Sequence, residues 1–306
     1  IPPEIGLLNN LNHLEFLYND FNGPIPDEIC NLTNVEFVEI AASPNITGTI
    51  PSNIGNLSRL KVFLLYNLSI SENIPYSIVN SDSIRVIGID RCPHFGGILP
   101  NFITQVISLQ VLWLTICAFY GQIPEDIGNM QNLSSFQLDS NSFSGHIPLT
   151  LCDADHQVYV RLPKNQLDSI PIFSPHTLGS SVLFEDVRFN KFTFEDFEPL
   201  VQNGAIQHFI CGATNCGIHP QDSVWYALDT TVLAGTPVYL NSTVGGTANI
   251  YQWYKNGSPI PGATLPYLYT SSVTHADSGT YTCRIWNSIV TSPTGLILNR
   301  HRVKIN

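Results

Sequence analysis

At two places in this 306-residue chain, acidic residues, in one case with a histidine, lie close enough in sequence to suggest a metal-binding site. Asp153, Asp155 and His156 form the first group, and the segment Glu195-Asp196-x-Glu198 forms the second. Carboxylate and imidazole groups at such spacing are ligands for calcium or zinc. The first group is more simply interpreted as a solvated turn. The second is more simply interpreted as an acidic cap over the end of a stacked core. We therefore predict no metal site.

Signature motifs of common enzyme classes are absent from the sequence. It contains no Gly-x-Ser-x-Gly, no His-Glu-x-x-His and no glycine-rich loop that would hold a phosphate. A carbohydrate-active enzyme would need a carboxylate pair in a cleft, and no pair suggests itself. We predict that the chain is not an enzyme and needs no cofactor.

The composition excludes two further classes. Lys and Arg number 13 against 24 Asp and Glu, so the formal charge is −11, whereas a nucleic-acid binder needs clustered cations to replace phosphate counterions. Hydrophobic residues make up 43% of the chain, which is enough to build cores and argues against disorder. Charged residues are only 12%, about half the share in ordinary soluble proteins.

An internal repeat organises the first two thirds of the chain. An Ile-Pro or Leu-Pro pair recurs every 23 to 25 residues, beginning at Ile1, Ile25, Ile50, Ile74, Leu99, Ile123, Ile147 and Ile170. An apolar ladder precedes most pairs, as in Leu109-x-x-Leu112-x-Leu114-x-x-Cys117-x-Phe119-x-Gly121. Each repeat is predicted to form a short strand and then a loop over the convex side. No repeat can bury its apolar face alone, so the stack is the unit of stability.

These repeats resemble the leucine-rich repeat of the plant-receptor type, whose hallmark is the ending Gly-x-Ile-Pro. The resemblance implies a solenoid with an extended concave face, in which an Asn at the end of each ladder turns the chain inward. Cys92 and Cys117 stand at that Asn position in adjacent repeats. The pattern weakens in an eighth repeat, where Glu185 falls at a position expected to be apolar.

From about Ser223 the sequence changes to alternating strands separated by turns, with Asn256-Gly257 as a hairpin signal. Asp277-Ser278-Gly279-x-Tyr281-x-Cys283 resembles the tyrosine corner and second cysteine of an immunoglobulin-like sandwich, with Trp253 as its core tryptophan. The first cysteine of that fold would fall near Ser242. Cys283 is therefore predicted to be a small buried residue.

The predicted fold class is mainly β: a leucine-rich-repeat solenoid followed by an immunoglobulin-like β-sandwich. We place about seven to eight repeats in residues 1–192, a cap and linker in 193–222, and the immunoglobulin-like domain in 223–306. This combination resembles secreted or surface proteins of the Bacteroidetes type.

The remaining cysteines and the glycosylation sequences give weaker predictions. Cys211 and Cys216 enclose a short loop and are the candidate disulfide. Cys92 and Cys117 would lie about 5 Å apart, one strand spacing, either as stacked thiols or as a bonded pair. Candidate glycosylation sites of the form Asn-x-Ser/Thr are Asn31, Asn45, Asn56, Asn67, Asn132, Asn241 and Asn256.

The concave face is the predicted binding surface, because repeat solenoids present their inner strands to partners. Between the last two core positions of each repeat stands a middle column of Glu15, Glu39, Leu64, Gly88, Trp113, Gln137 and Arg161. Repeats two to five bring apolar residues together on this face. The predicted partner-binding residues are Phe37, Val62, Leu64, Tyr66, Val86, Val111 and Trp113.

The predicted function is non-catalytic recognition or adhesion outside the cell or at its surface, with a protein or a glycan as partner. The alternative is a structural subunit that binds copies of itself head to tail in a filament or surface layer. The chain opens inside a repeat without a signal peptide, so we expect a mature product or a fragment. The uncharged stretch 101–120 is interrupted by Gln105, Ser108 and Gln110, and we predict no transmembrane span.

Overall fold

Eight parallel strands, one from each repeat, form the inner sheet of the solenoid in the computed structural model. They follow one another in chain order as His13–Leu17, Phe37–Ala41, Val62–Tyr66, Val86–Asp90, Val111–Thr115, Ser135–Gln137, Val158–Arg161 and Val182–Asp186. The structure describes residues 1–152, 154–173, 182–209, 211–212, 215–216, 221, 230–290 and 303–305.

The register of the inner sheet confirms the predicted columns. Leu64, Gly88 and Trp113 are direct partners on adjacent strands. Within a strand the burial alternates, so that Leu112 and Leu114 are buried whereas Trp113 between them is exposed. The inward residues therefore stack into the solenoid core, and the outward residues of every repeat line one face.

A left-handed residue follows each of the eight strands of the inner sheet, directly or after two further residues, and turns the chain toward the convex side. These residues have φ between 51° and 58° and are Tyr18, Ala42, Asn67, Arg91, Ile116, Ser140, Lys164 and Phe189. None is glycine, although this conformation is costly for other residues and most of all for a β-branched one such as Ile116. The recurring strain shows that stacking of the repeats dictates the backbone at this point.

The predicted inward asparagines satisfy backbone groups that this turn leaves open. Nδ2 of Asn165 donates to the carbonyls of Leu138 (2.9 Å) and Leu162 (3.2 Å), while its Oδ1 accepts from the amide of Phe143 (3.0 Å). At the same position Cys117 makes a thiol contact of 3.2 Å with the carbonyl of Thr115. A thiol is a weaker donor than an amide and offers a poorer acceptor, so cysteine replaces only part of this network.

The convex side carries regular structure that the sequence did not predict. Short 3₁₀ helices follow the Ile-Pro pairs at Pro3–Leu7, Asp27–Asn31, Tyr76–Asn80, Asn101–Gln105 and Glu125–Asn129, with a shorter one at Ile54–Asn56 and an α-helical turn at Leu149–Cys152. The proline is extended, and its carbonyl accepts from the amide three residues on, as Pro26 does from Ile29 at 3.1 Å. Proline therefore fixes the start of each helical turn.

A second, outer sheet lies between the inner strands and these helices along the chain. Its five parallel strands are Ser71–Glu72, His94–Ile98, Ala118–Gly121, Ser142–His146 and Gln166–Ser169, and a separate pair is Gly23–Pro24 with Ile46–Thr47. Phe95, Phe119 and Phe143 point inward from it as an aromatic column, with ring centroids 5.7 and 5.9 Å apart. Their complete burial extends the core to this sheet.

The eighth repeat is more regular than its sequence suggested. Phe184 pairs with Val160 of the preceding strand. The pairing then shifts by one residue, so that Asp186 stands opposite Arg161. A bulge therefore accommodates Glu185, and Val187 remains buried. The expected apolar position at Glu185 was wrong because the extra residue moves the ladder by one place.

After the repeats comes the helix Phe194–Gln202 and a 3₁₀ turn at Ala205–His208. Thr193 and Asp196 form a capping box, in which the Asp196 carboxylate accepts from the Thr193 amide at 2.7 Å. Phe197 packs edge to face against Phe192 and Phe209, at 6.0 Å from each. The Asp196 carboxylate of the second acidic group thus caps the N-terminus of the helix.

The C-terminal strands are Thr230–Val232, Val238–Asn241, Asn249–Lys255, Ser258–Pro259, Tyr267–Thr270, Tyr281–Asn287 and Val303–Ile305. The tyrosine corner is confirmed, because the Tyr281 hydroxyl donates to the Asp277 carbonyl at 2.6 Å. Trp253 and Cys283 face each other on adjacent strands and are fully buried. Ser242 is buried too, and its hydroxyl has no hydrogen-bond partner among the described residues.

A buried carboxylate joins the Phe194–Gln202 helix to the immunoglobulin-like strands. Glu198 is 4% exposed and accepts from the Thr247 amide (2.8 Å) and hydroxyl (2.7 Å), from the Ala248 amide (3.2 Å) and from Nδ2 of Asn287 (2.5 Å). Burial raises the pKa of Glu198, but these hydrogen bonds outweigh it and hold the pKa below its ordinary value.

Contacts divide the chain into one compact unit of Ile1–Leu167 with Phe173–Val187 and another of Asp168–Ile172 with Arg188–Asn306. The helix from Phe194 thus groups with the immunoglobulin-like strands. The predicted boundary at 222/223 lies outside the described residues, and the three-part division stays a prediction. The longest described helix has 9 residues, and in the described part of the chain none has the length and apolarity of a membrane span.

Replacing Asn165 by alanine should lower the free energy of unfolding by about 3 kcal/mol, because several buried backbone groups lose their partner at once. Urea unfolding followed by circular dichroism measures this. The matched control is Asn19→Ala, since Asn19 is only partly buried and donates to the Leu17 carbonyl. Equal losses in the two variants would contradict the role assigned to the buried asparagines.

Glu198→Gln should destabilise the chain by about 2 kcal/mol at neutral pH, because an amide cannot accept every bond that the carboxylate accepts. The folded pKa is lowered, so this contribution is complete above the unfolded pKa of about 4.3 and is lost as the pH falls through the folded value. Wild type and variant should therefore converge in urea unfolding at low pH. Glu195→Gln, an exposed carboxylate on the same helix, should stay close to wild type throughout.

Candidate binding surface on the inner sheet

The seven predicted partner-binding residues lie together on the outward face of the inner sheet. Phe37, Val62, Val86 and Val111 form one continuous row of strand partners. Leu64 and Trp113 occupy the next column, with Tyr66 beside it. Trp113 is 39% exposed, and the other six are partly buried. The structure thus brings the set together, while its role in binding stays a prediction.

Gly88 opens a hollow in this apolar surface. It stands in the middle column between Leu64 and Trp113, where the missing side chain leaves a cavity of about 290 Å³ that Tyr66 and Glu39 also line. A Cβ at Gly88 would come within 2.6 Å of Cδ2 of Leu64 and 3.7 Å of the Trp113 ring. The volume is near the lower end of the range for ligand pockets.

Trp113 is held in place at the edge of the hollow. Its indole Nε1 donates to the hydroxyl of Ser135 on the next strand at 3.0 Å. On the other side, the guanidinium of Arg91 lies 5.4 Å from the centre of the Tyr66 ring. Both aromatic rings are therefore oriented before any partner binds.

A polar hollow of about 480 Å³ adjoins the apolar one, and Asp90, Thr115 and Gln137 line both. The Thr115 hydroxyl donates to Asp90 at 2.6 Å. In the polar hollow Arg161 donates through Nε (3.2 Å) and Nη2 (2.9 Å) to one oxygen of Asp139. The surface therefore passes from apolar to polar along the repeats.

Burial and a neighbouring cation act on the pKa of Asp139 in opposite directions. Desolvation raises its pKa, although the Arg161 guanidinium opposes that rise. Its Oδ1 is buried without a hydrogen-bond partner among the described residues. Arg161 also lies 4.0 Å from Glu185, so the bulge in the eighth repeat supplies a second carboxylate to this end of the surface.

Sequence reasoning placed Gln137 and Arg161 in the middle column but nominated none of the polar residues as partner-binding. Gly88 was the available signal, because a glycine between two large apolar residues in one column leaves a hollow. Asp139 and Arg161 could also have been paired, as oppositely charged residues on the same face of adjacent repeats. The second carboxylate, Glu185, could not, since its position depends on the bulge.

The two acidic groups of the sequence do not form a metal site in the described part of the chain. Asp153 lies outside the described residues, and Nδ1 of His156 is 3.3 Å from Asp155. Asp196 and Glu198 bind different backbone segments, as described above. No three His, Cys, Asp or Glu side chains among the described residues come together to hold a metal ion.

Among the described residues, Cys30, Cys92 and Cys117 are thiols. Burial raises the pKa of Cys92 to about 11 and that of Cys117 to about 12, so both are protonated and unreactive at neutral pH. The structure shows no bond between the two sulfur atoms, and the choice between stacked thiols and a bonded pair stays a prediction. Cys211 and Cys216 stand directly opposite each other in an antiparallel pair of two-residue strands, and their disulfide stays a prediction.

The candidate glycosylation sites are exposed in every case, at Asn31, Asn45, Asn56, Asn67, Asn132, Asn241 and Asn256. Some of these side chains already have structural roles. Asn132 donates to the Ile107 carbonyl at 2.8 Å, and Asn256 accepts from the Thr280 amide at 2.8 Å. Modification at any of the seven stays a prediction.

Comparison with protein families matches one part of the chain. The immunoglobulin domain family matches residues 223–298. No curated protein matches the chain by sequence.

Solved structures match the repeats. The leucine-rich-repeat ectodomain of the Arabidopsis thaliana membrane receptor kinase GASSHO1/SCHENGEN3, in complex with CASPARIAN STRIP INTEGRITY FACTOR 2, is 27% identical with a TM-score of 0.58; the match covers 66% of this chain and 24% of that one. The plant peptide hormone receptor RGFR1 in complex with RGF2 is 24% identical with a TM-score of 0.57, covering 76% and 38%. The Arabidopsis receptor kinase HAESA ectodomain with its peptide hormone is 23% identical with a TM-score of 0.58, covering 76% and 36%.

The chain thus spans between about a quarter and two fifths of the length of these receptor structures. None of the three is bacterial, so the resemblance to Bacteroidetes-type proteins gains no support from them. The fold predicted from the repeats and from the tyrosine corner is confirmed. The chain consists of a leucine-rich-repeat solenoid of the plant-receptor type and a C-terminal immunoglobulin-like domain.

Proposed function

We propose that this chain is a non-catalytic extracellular recognition protein that binds a segment of a peptide or protein on the outward face of the inner sheet. The observation that carries the proposal is the hollow at Gly88, which lies between the ordered side chains of Leu64, Tyr66 and Trp113. An apolar side chain of the partner would enter this hollow.

Burial of one apolar side chain of the partner in the hollow at Gly88 would provide much of the binding energy. Trp and Tyr dominate the binding energy of protein interfaces because they offer large, rigid apolar surfaces at a low entropic cost. Trp113 is already held by Ser135, and Tyr66 by Arg91. Little side-chain freedom is lost on binding, and this preorganisation favours a tight complex.

The polar hollow would determine the orientation in which a partner segment binds. Arg161, Asp139 and Asp90 offer fixed charges a short way along the face from the apolar hollow. A bound segment that puts its apolar side chain at Gly88 would place polar groups near these residues in one orientation only. Charged groups arranged in this way contribute more to specificity than to affinity.

The comparisons support this proposal in coarse terms. The similar ectodomains are those of plant receptors solved in complex with peptide hormones or a named factor, and we extend the extracellular location and the class of partner to this chain. The similarities described above are to receptor ectodomains and to an immunoglobulin domain. Adhesion, glycan binding on this face and filament formation have no specific support.

The proposal is tested by selection of a random peptide display library against the purified chain. Peptides selected on the wild type should share an apolar residue and should lose at least tenfold in affinity for Gly88→Leu, whose side chain fills the hollow. Trp113→Ala should weaken the same peptides to a similar extent. Leu64 can yield to the new side chain because only its flexible end lies close to Gly88.

Ile107→Ala is the matched control, since Ile107 is an exposed apolar residue outside the inner sheet. It should bind the selected peptides as the wild type does. Urea unfolding of all variants confirms that the fold is intact. Peptides that bind Gly88→Leu and the wild type equally would refute the proposal, and a concentration-dependent mass that Trp113→Ala abolishes would indicate self-association instead.

A further inference from the structure

Three exposed tyrosines share one face of the immunoglobulin-like domain. Tyr239 on the strand Val238–Asn241 stands opposite Tyr269 on the strand Tyr267–Thr270. Tyr239 is 60% exposed, Tyr269 57% and Tyr267 39%. The intervening Leu240 points the other way and is buried. We call Tyr239, Tyr267 and Tyr269 the tyrosine platform.

Two rings of the platform are already stacked. The ring centroids of Tyr239 and Tyr267 lie 5.4 Å apart with an angle of 26° between their planes. Asn241 stands directly opposite Tyr267 and is exposed beside it. The outward positions of these paired strands are thus three tyrosines and one asparagine, with no aliphatic side chain. Exposed aromatic residues on a monomer are usually scattered, and a cluster marks a binding site.

The segments that carry the platform contain no formal charge. Asp, Glu, Lys and Arg are absent from residues 230–254 and again from residues 256–274. An anionic or cationic ligand would find no counter-charge on these strands. Nucleic-acid bases also stack on aromatic rings, but their binding needs a positively charged groove along the backbone, and the formal charge of the chain is −11. The electrostatics of the platform therefore fit a neutral ligand.

Neutral sugars have two properties that fit this surface, a lack of formal charge and a ring face that packs on aromatic side chains. One face of a pyranose ring presents C–H groups with partial positive charge, which pack against the negative face of an aromatic ring. Its hydroxyls at the edge of the ring find donors and acceptors in the tyrosine hydroxyls.

We propose that the tyrosine platform binds a neutral polysaccharide, with sugar rings stacked on Tyr239 and Tyr267. This site is separate from the inner sheet and does not depend on the function proposed for it. The two sites together would let the chain hold a neutral glycan with one domain and recognise a peptide or protein with the other.

Asn241 heads one of the glycosylation sequences, and a glycan attached there would cover the platform. The test therefore uses the full chain produced in a bacterial host that does not glycosylate it. Affinity electrophoresis in native gels containing galactomannan, barley β-glucan, laminarin or, as an acidic comparison, alginate measures retardation by each polysaccharide. At least one neutral polysaccharide should retard the wild type, and alginate should not.

Tyr267→Ala should weaken the retarding interaction about tenfold, which is the order of effect expected for one lost stacking ring. The double variant Tyr239→Ala/Tyr267→Ala should abolish retardation, whereas Tyr267→Trp should keep it. Tyr120→Ala is the matched control, since Tyr120 is 54% exposed on the outer sheet of the repeats. Thermal unfolding of each variant excludes loss of the fold as the cause.

The proposal is overturned if no neutral polysaccharide retards the wild type, if alginate retards it equally, or if the double variant binds as the wild type does. Light scattering provides a further test. A dimer of the wild type that Tyr267→Ala dissociates would show that the platform binds a second copy of the chain, and would overturn the proposal in favour of self-association.

Discussion

Stacking of identical turns is the constraint on which the repeat domain depends. Each repeat can bury its apolar residues only against its neighbours, so the backbone must return to the same position every 23 to 25 residues. A left-handed residue after each inner strand makes that return possible, even where the side chain is isoleucine. Buried asparagines such as Asn165 then satisfy the groups that the turn exposes. The conformational cost of each turn is met by burial along the whole stack.

The same constraint leaves the outward columns of the inner sheet free to vary. Inward positions must be apolar, but the middle column changes from Leu64 to Gly88 to Trp113 without any loss to the core. The binding surface is therefore determined by residues on which the fold places little demand. A glycine is tolerated there because neighbouring strands hold its backbone, and the hollow follows from the side chain that is missing.

Few charged residues are needed on this chain, and several of its carboxylates work inside it. Glu198 joins a helix to loops of the immunoglobulin-like strands, Asp196 caps that helix, and Asp139 holds Arg161. The surface has few charges partly because two regions are poor in them: the apolar half of the inner sheet and the tyrosine platform. The tyrosine platform is uncharged where we propose that a partner binds, whereas Glu39 and Asp90 are among the residues that line the apolar hollow.

The sequence by itself determined what depends on local period: the inner strands, their register, the inward asparagines and the tyrosine corner. Each of these follows from spacing within one repeat or one strand. Only the tertiary structure decided the outer sheet, the bulge at Glu185, the contacts of Glu198 with residues 247–248 and 287, and the stacking of Tyr239 on Tyr267. The contacts of Glu198 and of Tyr239 join segments that are distant in the chain and that no periodicity relates. The outer sheet and the bulge depend on backbone pairing between neighbouring repeats, which the pattern of side chains does not record.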